Sequence, residues 1–215
     1  AAVLIDTPPD FREQALQIGL ERLDAVFFTH SHADHINGFD DLRRFGHLSG
    51  SPVPVYGSAD TLDTIRQTFS YIFKEPVAGT TLPRVDFRPI QGPIHLGGLS
   101  VRPLKVDHGP ARIDGFLLEE AGFRAAYIPD CSGVPEETRP RLEGLDVLAL
   151  DALRRKPHPT HFSLDESLTV LREARPRLGL LTHLCHDLGH ADTESDLPEG
   201  IRIAYDGLVI DSAIA

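Results

Sequence analysis

Three histidines and one aspartate lie within six residues, His30-Ser-His-Ala-Asp-His35, and any fold of this 215-residue chain has to accommodate them. The apolar segment before them, residues 23–29, predicts a buried strand that ends at the cluster. Residues 38–45 predict a short helix after it. Because a strand-to-helix turn can direct several side chains to one point, the cluster predicts a site at the end of a strand.

Apolar segments of strand length alternate with amphipathic segments of helix length along the rest of the chain, which is typical of α/β architecture. Strands are predicted at residues 2–6, 53–56, 145–150 and 178–182, and helices at residues 10–18, 59–69 and 164–174. Hairpins are predicted at residues 94–106, 115–128 and 201–210, and an irregular insertion at residues 71–83. Two sheets packed face to face with helices outside would satisfy this pattern, and so would an ordinary three-layer parallel sheet.

Composition narrows the class of protein. With 41% apolar and 25% charged residues, we expect one globular domain over residues 1–215. The formal charge of −11 argues against extensive nucleic-acid binding. Two distant cysteines, the lack of a secretion signal and the lack of an apolar run near the roughly 20 residues of a membrane span indicate a cytoplasmic protein that does not bind membranes. The chain has no methionine, so we expect the natural N-terminus to precede Ala1, and a homodimer is possible because dimers are the commonest assemblies.

Histidine and aspartate are ligands that suit zinc, manganese or iron, whereas a closed structural zinc site would need clustered cysteines. Three further candidate ligands each follow a predicted strand: His108 in Val-Asp-His-Gly, Asp130 in Ile-Pro-Asp-Cys-Ser-Gly, and His183 in Leu-Thr-His. Structural roles are the competing interpretations for His108 and His183, and Asp130 could instead shape the turn before Ser132. We therefore predict an open, catalytic metal site at one edge of a sheet.

These elements, in this order, resemble the metallo-β-lactamase superfamily over essentially the whole chain, including the segment Leu-Ile-Asp-Thr-Pro-Pro-Asp at residues 4–10. The resemblance implies an α/β fold, a four-layer αββα sandwich, that would lack a first strand ahead of Ala1. It also implies two divalent ions per chain, zinc or manganese rather than iron. One ion would be bound by His30, His32 and His108, the other by Asp34, His35 and His183, and Asp130 would bridge them.

Two adjacent ions can share a water, lower its pKa and orient the resulting hydroxide for attack. The resemblance therefore implies that a metal-bridging hydroxide is the nucleophile. Asp34 would have a second, catalytic role, since it can accept a hydrogen bond from that hydroxide.

A second motif separates branches of this superfamily. Lys156-Pro-His-Pro-Thr-His-Phe-Ser163, together with Leu-Thr-His-Leu-Cys-His at residues 181–186, resembles the branch containing the accessory phosphodiesterase of the bacterial carbon–phosphorus lyase pathway and, more distantly, ribonuclease Z. The resemblance implies that His161 contacts the phosphate and assists the leaving group. Thr160, Ser163 and the following helix could add phosphate contacts, and a helix-capping or core role is the alternative for His161.

The remaining histidines of this region, His158, His186 and His190, are interpreted as solvent-facing or supporting residues, and Cys131 as a small buried residue. The leading functional hypothesis is hydrolysis of small or cyclic phosphodiesters. The alternatives are carbonyl hydrolysis on the same site, as in lactonases, thioesterases and β-lactamases, or a non-hydrolytic carrier of the same fold.

Overall fold

The computed structural model describes residues 1–75 and 78–212, so that Pro76 of the predicted insertion lies outside the described residues. The strands are β1 Val3–Ile5, β2 Ala25–Phe27, β3 Val53–Gly57, β4 Val85–Pro89, β5 Ile94–Leu96, β6 Leu99–His108, β7 Ala111–Glu120, β8 Phe123–Ile128, β9 Val147–Asp151, β10 Leu178–Thr182 and β11 Ile201–Ile203. The α-helices are α1 Phe11–Gln17, α2 Ala33–Ile36, α3 Arg43–Ser49, α4 Ala59–Thr68, α5 Arg139–Leu142, α6 Leu164–Ala174 and α7 His190–Ser195, and 3₁₀-helices cover Phe39–Leu42 and Ser70–Phe73. None of the helices in the described residues is long and apolar enough to cross a lipid bilayer.

The chain divides into two compact units, Ala1–Gly92 and Pro93–Ala215, and the single domain expected for residues 1–215 stays a prediction. The first unit contains a parallel sheet in the order β1-β2-β3-β4. Its central strand β2 is fully buried, as expected for a parallel strand covered on both faces. Since Ile5 pairs with Phe27, the residues after β1 and after β2 emerge at the same edge of this sheet.

The second unit contains a sheet in the order β11-β10-β9-β8-β7-β6-β5. Strands β8 to β11 are parallel, whereas β5 to β8 form an antiparallel meander. Because β6 is antiparallel to β7, which is antiparallel to β8, strands β6 and β8 run in the same direction. The carboxyl ends of β6, β8, β9 and β10 therefore lie at one edge of the sheet, the usual place for a site in such a fold.

Helix α6 packs its apolar stripe into the core of the second unit through Leu164, Leu168 and Leu171. Its start is fixed by a capping box, in which the Ser163 side chain accepts from the backbone N–H of Glu166 and the Glu166 carboxylate accepts from the backbone N–H of Ser163. These reciprocal bonds satisfy two donors that a helix terminus otherwise leaves unpaired. The capping box therefore fixes the residue at which the preceding segment ends and α6 begins.

The predicted helix at residues 164–174 and the predicted strand at residues 178–182 agree with α6 and β10. The alternative of a single parallel sheet is wrong, because the described residues form two separate sheets. The hairpin at residues 201–210 is also wrong. In its place β11 pairs in parallel with β10, and no return strand follows the turn at Asp206 within the described residues. The Asp-Gly signal does mark a turn, but the free edge of β10 provides the pairing partner for β11.

Candidate functional site

The histidine cluster of the first unit consists of His30, His32, Asp34 and His35, and the structure brings these four predicted residues together. The ring centroids of His30 and His32 are 4.4 Å apart, and those of His30 and His35 are 4.2 Å apart. The His35 Nε2 atom lies 3.4 Å from Asp34 Oδ2. Because α2 begins at Ala33, one helical turn carries Asp34 and His35, while His30 remains at the strand end.

Asp6 supports this cluster, a role that the sequence interpretation missed. Its carboxylate lies 2.7 Å from Nδ1 of His35 and accepts hydrogen bonds from the backbone N–H and the hydroxyl of Thr29, both at 2.8 Å. Burial raises the pKa of Asp6, while its bonds with His35 and Thr29 act in the opposite direction. Its φ of 61° is in the left-handed region, which non-glycine residues enter at a cost and often at functional sites. The available signal was its position directly after β1.

The edge cluster of the second unit consists of His108, Asp130, His161 and His183, and here too the structure brings the predicted residues together. Asp130 is central, with its carboxylate oxygens 4.0 Å from His108 Nε2, 3.7 Å from His183 Nε2 and 3.9 Å from His161 Nδ1. The rings of His161 and His183 are stacked at 4.8 Å. His183, like Asp6, has a left-handed backbone, with a φ of 59°. The edge cluster thus joins side chains that are up to 75 residues apart in sequence.

Asp151, the last residue of β9, holds His161 in place and was also missed by the sequence interpretation. Its Oδ2 lies 2.8 Å from Nδ1 of His161 and accepts the backbone N–H of Cys131, also at 2.8 Å. Burial raises the pKa of Asp151 despite these bonds. Burial likewise raises the pKa of the Cys131 thiol, in agreement with the expected small buried residue. As with Asp6, the position of Asp151 at a strand end was the available signal.

Thr160 contributes to the edge cluster through its backbone, and its phosphate contact stays a prediction. Its carbonyl oxygen lies 2.7 Å from Nδ1 of His108 and accepts a hydrogen bond from the N–H at that position. The Thr160 side chain and backbone N–H approach Nδ1 of His158, at 3.1 Å and 3.3 Å. The predicted phosphate contact of Ser163 is not supported, because this buried hydroxyl donates to Glu166 at 2.6 Å in the capping box.

The donor groups of both clusters fit divalent metal ions. The Nδ1 atoms of His35 and His108 face a carboxylate and a carbonyl oxygen, respectively. A neutral imidazole that donates from Nδ1 presents the lone pair of Nε2, which is the arrangement usual for metal-binding histidines. Candidate ligand atoms of Asp130, His161 and His183 also lie within 4.8 Å of one another. The edge cluster can therefore bind a metal ion.

The comparison with known families matches this chemistry. The sequence profile of the beta-lactamase superfamily domain matches residues 1–184, which is most of the chain. The chain is 34% identical over 209 residues to the octanoyltransferase of Porphyromonas gingivalis, a match that covers 96% of this chain and 41% of that protein. It is 28% identical over 170 residues to the coenzyme PQQ synthesis protein B of a Methylobacterium strain, covering 69% of this chain and 55% of that protein. The chain thus spans about two fifths to about half the length of these curated relatives.

Solved structures show the same fold. A diphosphatase from the PhnP family is similar with a TM-score of 0.86 and 41% sequence identity, over 96% of this chain and 78% of that one. Zinc-bound PqqB from Methylobacterium extorquens has a TM-score of 0.76 at 21% identity, over 97% of this chain and 83% of that one. The short form of human tRNase Z has a TM-score of 0.72 at 19% identity, over 96% of this chain and 86% of that one. The PhnP-family relative agrees with the nearer branch indicated by the motifs, whereas the likeness to tRNase Z shows the shared fold alone. The chain belongs to the beta-lactamase superfamily, with the metallo-β-lactamase fold.

Proposed function

We propose that this chain is a metal-dependent phosphodiesterase that acts on small or cyclic phosphodiesters. The observation that carries the proposal is the His161–Asp151 pair, joined at 2.8 Å beside Asp130 and His183. A histidine held by a carboxylate at Nδ1 can present a proton from Nε2 to an oxygen that leaves with negative charge. Phosphodiester hydrolysis needs such a group, because its leaving alkoxide is a poor leaving group without a proton.

We propose further, from its membership of the superfamily, that the chain binds two divalent ions, zinc or manganese. His30, His32 and His108 would bind one ion, Asp34, His35 and His183 the other, and Asp130 both. Bound there, the ions would supply Lewis acidity and lower the pKa of a water molecule. The support is the family membership of the chain and the placement of the seven side chains. His108 ends β6, Asp130 and His183 follow β8 and β10, and the other four lie in the loop and helix α2 that follow β2.

The residues of the chain itself then have distinct tasks. Asp6 and the Thr160 carbonyl fix the orientation of the His35 and His108 rings. Asp151 fixes the orientation of the His161 ring, so that the ring can donate a hydrogen bond, and then a proton, to the leaving oxygen. Asp34, whose side chain is 58% exposed, can accept a hydrogen bond from the attacking water and direct its lone pair at the substrate.

The proposal is tested by turnover of bis(p-nitrophenyl) phosphate and of cyclic nucleotides with added zinc or manganese. His161→Ala should lower kcat for the cyclic nucleotides, whose leaving alkoxide needs a proton, by about 10²- to 10⁴-fold, the usual contribution of general acid catalysis. The loss should be much smaller for bis(p-nitrophenyl) phosphate, whose nitrophenolate leaves without a proton. His95→Ala is the matched control, since His95 is an exposed histidine on strand β5. Absence of metal-dependent turnover across a range of diesters would exclude the proposal.

Carbonyl hydrolysis is the second candidate, and the name of the P. gingivalis relative favours acyl chemistry. That support is limited, because the chain spans only 41% of the relative and the named activity can reside in the remainder. Acyl-ester turnover that survives His161→Ala would favour this candidate. A non-hydrolytic carrier, the third candidate, would be indicated by fewer than one bound ion per chain together with no hydrolysis of either substrate class.

For partners and location, we propose a small substrate, no extensive nucleic-acid or membrane binding, a homodimer, and a place in the cytoplasm. The net charge of −11 supports the proposal of no extensive nucleic-acid binding, since binding to a polyanion depends on basic side chains. The two free cysteines support a reducing compartment. Light scattering would test the dimer, and fluorescence anisotropy with labelled RNA would test nucleic-acid binding.

A further inference from the structure

A cavity of about 470 Å³ opens beside His183 in the second unit. It is lined by the end of β10, by Ala204 and Tyr205, which follow β11, and by His190 at the start of α7. This volume falls in the range of pockets for small molecules, about 300–1,000 Å³. Because His161 stacks on His183 at 4.8 Å, the cavity begins next to the proposed proton donor.

The lining of the cavity contains buried apolar residues, which we call its floor, and exposed polar residues, which we call its mouth. Leu188 and Ile203 are 6% and 3% exposed, so they form a dry surface against which a ring can pack. The rings of His190 and Tyr205 meet edge to face at 6.1 Å, and Tyr205 is 54% exposed. Asp206 brings a carboxylate to the mouth. Among the described residues that line the cavity, none is a lysine or an arginine.

We propose that this cavity holds the uncharged, hydroxyl-bearing substituent of the phosphodiester and that Asp206 selects against a substituent with a second anionic group. The inference rests on the proposed function, because it assigns the reacting phosphate to the adjacent edge cluster. A sugar or nucleoside ring would pack on the floor and against Tyr205. Its hydroxyls would donate to Asp206 and exchange hydrogen bonds with the Tyr205 phenol. A second phosphate would meet the Asp206 carboxylate with no lysine or arginine among the described lining residues to balance it, and His183, His186 and His190 are the imidazoles there.

The test compares two esters that differ in one group. Thymidine 5′-(methyl phosphate) has a free 3′-hydroxyl, and its 3′-phosphorylated counterpart carries a second anion at that position. Release of the nucleoside, followed by chromatography, counts only turnover in which the nucleoside leaves next to His161. At pH 8.5, where free imidazole is neutral, kcat/KM should favour the hydroxyl form by about tenfold. Asp206→Asn should reduce the ratio of the two kcat/KM values by about threefold, a modest change because the carboxylate is exposed to solvent. Glu199→Gln is the control, since it removes one exposed acid of the same unit that does not line the cavity, and it should leave the preference unchanged.

A second measurement does not depend on turnover. The ring signals of His190 and Tyr205, followed by NMR, should shift with added thymidine and shift less with thymidine 3′,5′-bisphosphate. Turnover of both esters at equal rates, with no effect of Asp206→Asn, would overturn the inference and leave the phosphodiesterase proposal standing. If neither ester is turned over, the proposed function fails on these substrates. The NMR titration alone then decides whether the cavity prefers the uncharged, hydroxyl-bearing ligand. Equal ring shifts with the two ligands, or none, would then overturn the inference.

Discussion

Asp6 and His35 show how a single residue away from the metal-ligand set can control it. Asp6→Asn removes the carboxylate charge but keeps a side chain that tolerates a left-handed backbone, so the fold should persist. The His35 ring would lose its charged partner at 2.7 Å, and metal affinity should fall by about 10- to 100-fold. Competition with a chelator measures this affinity. Unchanged affinity in a folded Asp6→Asn variant would show that the contact does not support metal binding.

Asp114 is a second residue whose environment has a measurable consequence, this time for stability. It is buried beside Lys105, with 2.7 Å between Asp114 Oδ1 and Lys105 Nζ. Burial raises the pKa of Asp114 from 3.8, and the attraction of Lys105 offsets this only in part. A raised folded-state pKa means that the native state binds the proton more tightly than the unfolded chain. The contribution of Asp114 to the free energy of unfolding is therefore most favourable below pH 3.8. It is lost as the pH rises through the raised pKa of the folded state.

Asp114→Asn should consequently be more stable than the natural protein at pH 8. At pH 5 the difference in the free energy of unfolding between the two proteins should be smaller. Urea denaturation at the two pH values measures the free energy of unfolding. Asp63→Asn is the control because Asp63 is an exposed residue of α4. A variant less stable than the natural protein at pH 8 would mean that the Lys105 ion pair outweighs the cost of burying the carboxylate.

At the scale of elements, the turn between β6 and β7 packs against the segment that carries His161. Gly109 in this turn has a φ of +60°, and a Cβ atom at that position would lie 2.6 Å from Cγ2 of Thr160. Gly109→Ala should therefore displace Thr160, weaken its bond to His108 and reduce kcat/KM by about tenfold or more.

Gly97→Ala provides a matched control for this prediction. Gly97 has a φ of +61° in the turn between β5 and β6, and a Cβ atom there would meet nothing within 4 Å. Both substitutions carry the backbone cost of about 1 kcal/mol for alanine in a left-handed conformation, which urea denaturation measures. Only Gly109→Ala also introduces a clash with the Thr160 side chain. Equal kcat/KM in the two variants would show that the turn does not position Thr160.

For the whole molecule, metal binding should stabilise the folded state, since the proposed ligands come from segments distant in sequence that only folding brings together. A ligand at 100 times its Kd adds about 2.7 kcal/mol to the free energy of unfolding. For a chain of this size, that corresponds to a Tm about 5–10 °C higher than that of the chelator-treated protein. Differential scanning calorimetry measures the difference. Equal Tm values with and without zinc or manganese would contradict a metal site built from the two clusters.

The sequence was sufficient to predict the metal-ligand candidates because each marks the end of a strand with a change from apolar to polar residues. His108, Asp130 and His183 all follow this rule, and the structure places them at one edge of one sheet. The parallel pairing of β11 was not predictable in the same way. A three-residue strand followed by an Asp-Gly turn has the local pattern of a hairpin, and its pairing with β10 depends on which sheet edge is free.

The amino-acid sequence by itself determined which chemical groups are present and where each leaves its strand, because apolar periodicity and ligand type are local properties of the chain. Tertiary structure alone decided which oxygen faces each histidine. Asp6 reaches His35 across 29 residues, and the Thr160 carbonyl reaches His108 across 52. A carbonyl leaves no mark in a sequence, and an aspartate after a strand has many possible partners. Those contacts arise only when sheet order and register fix the distances between strand ends.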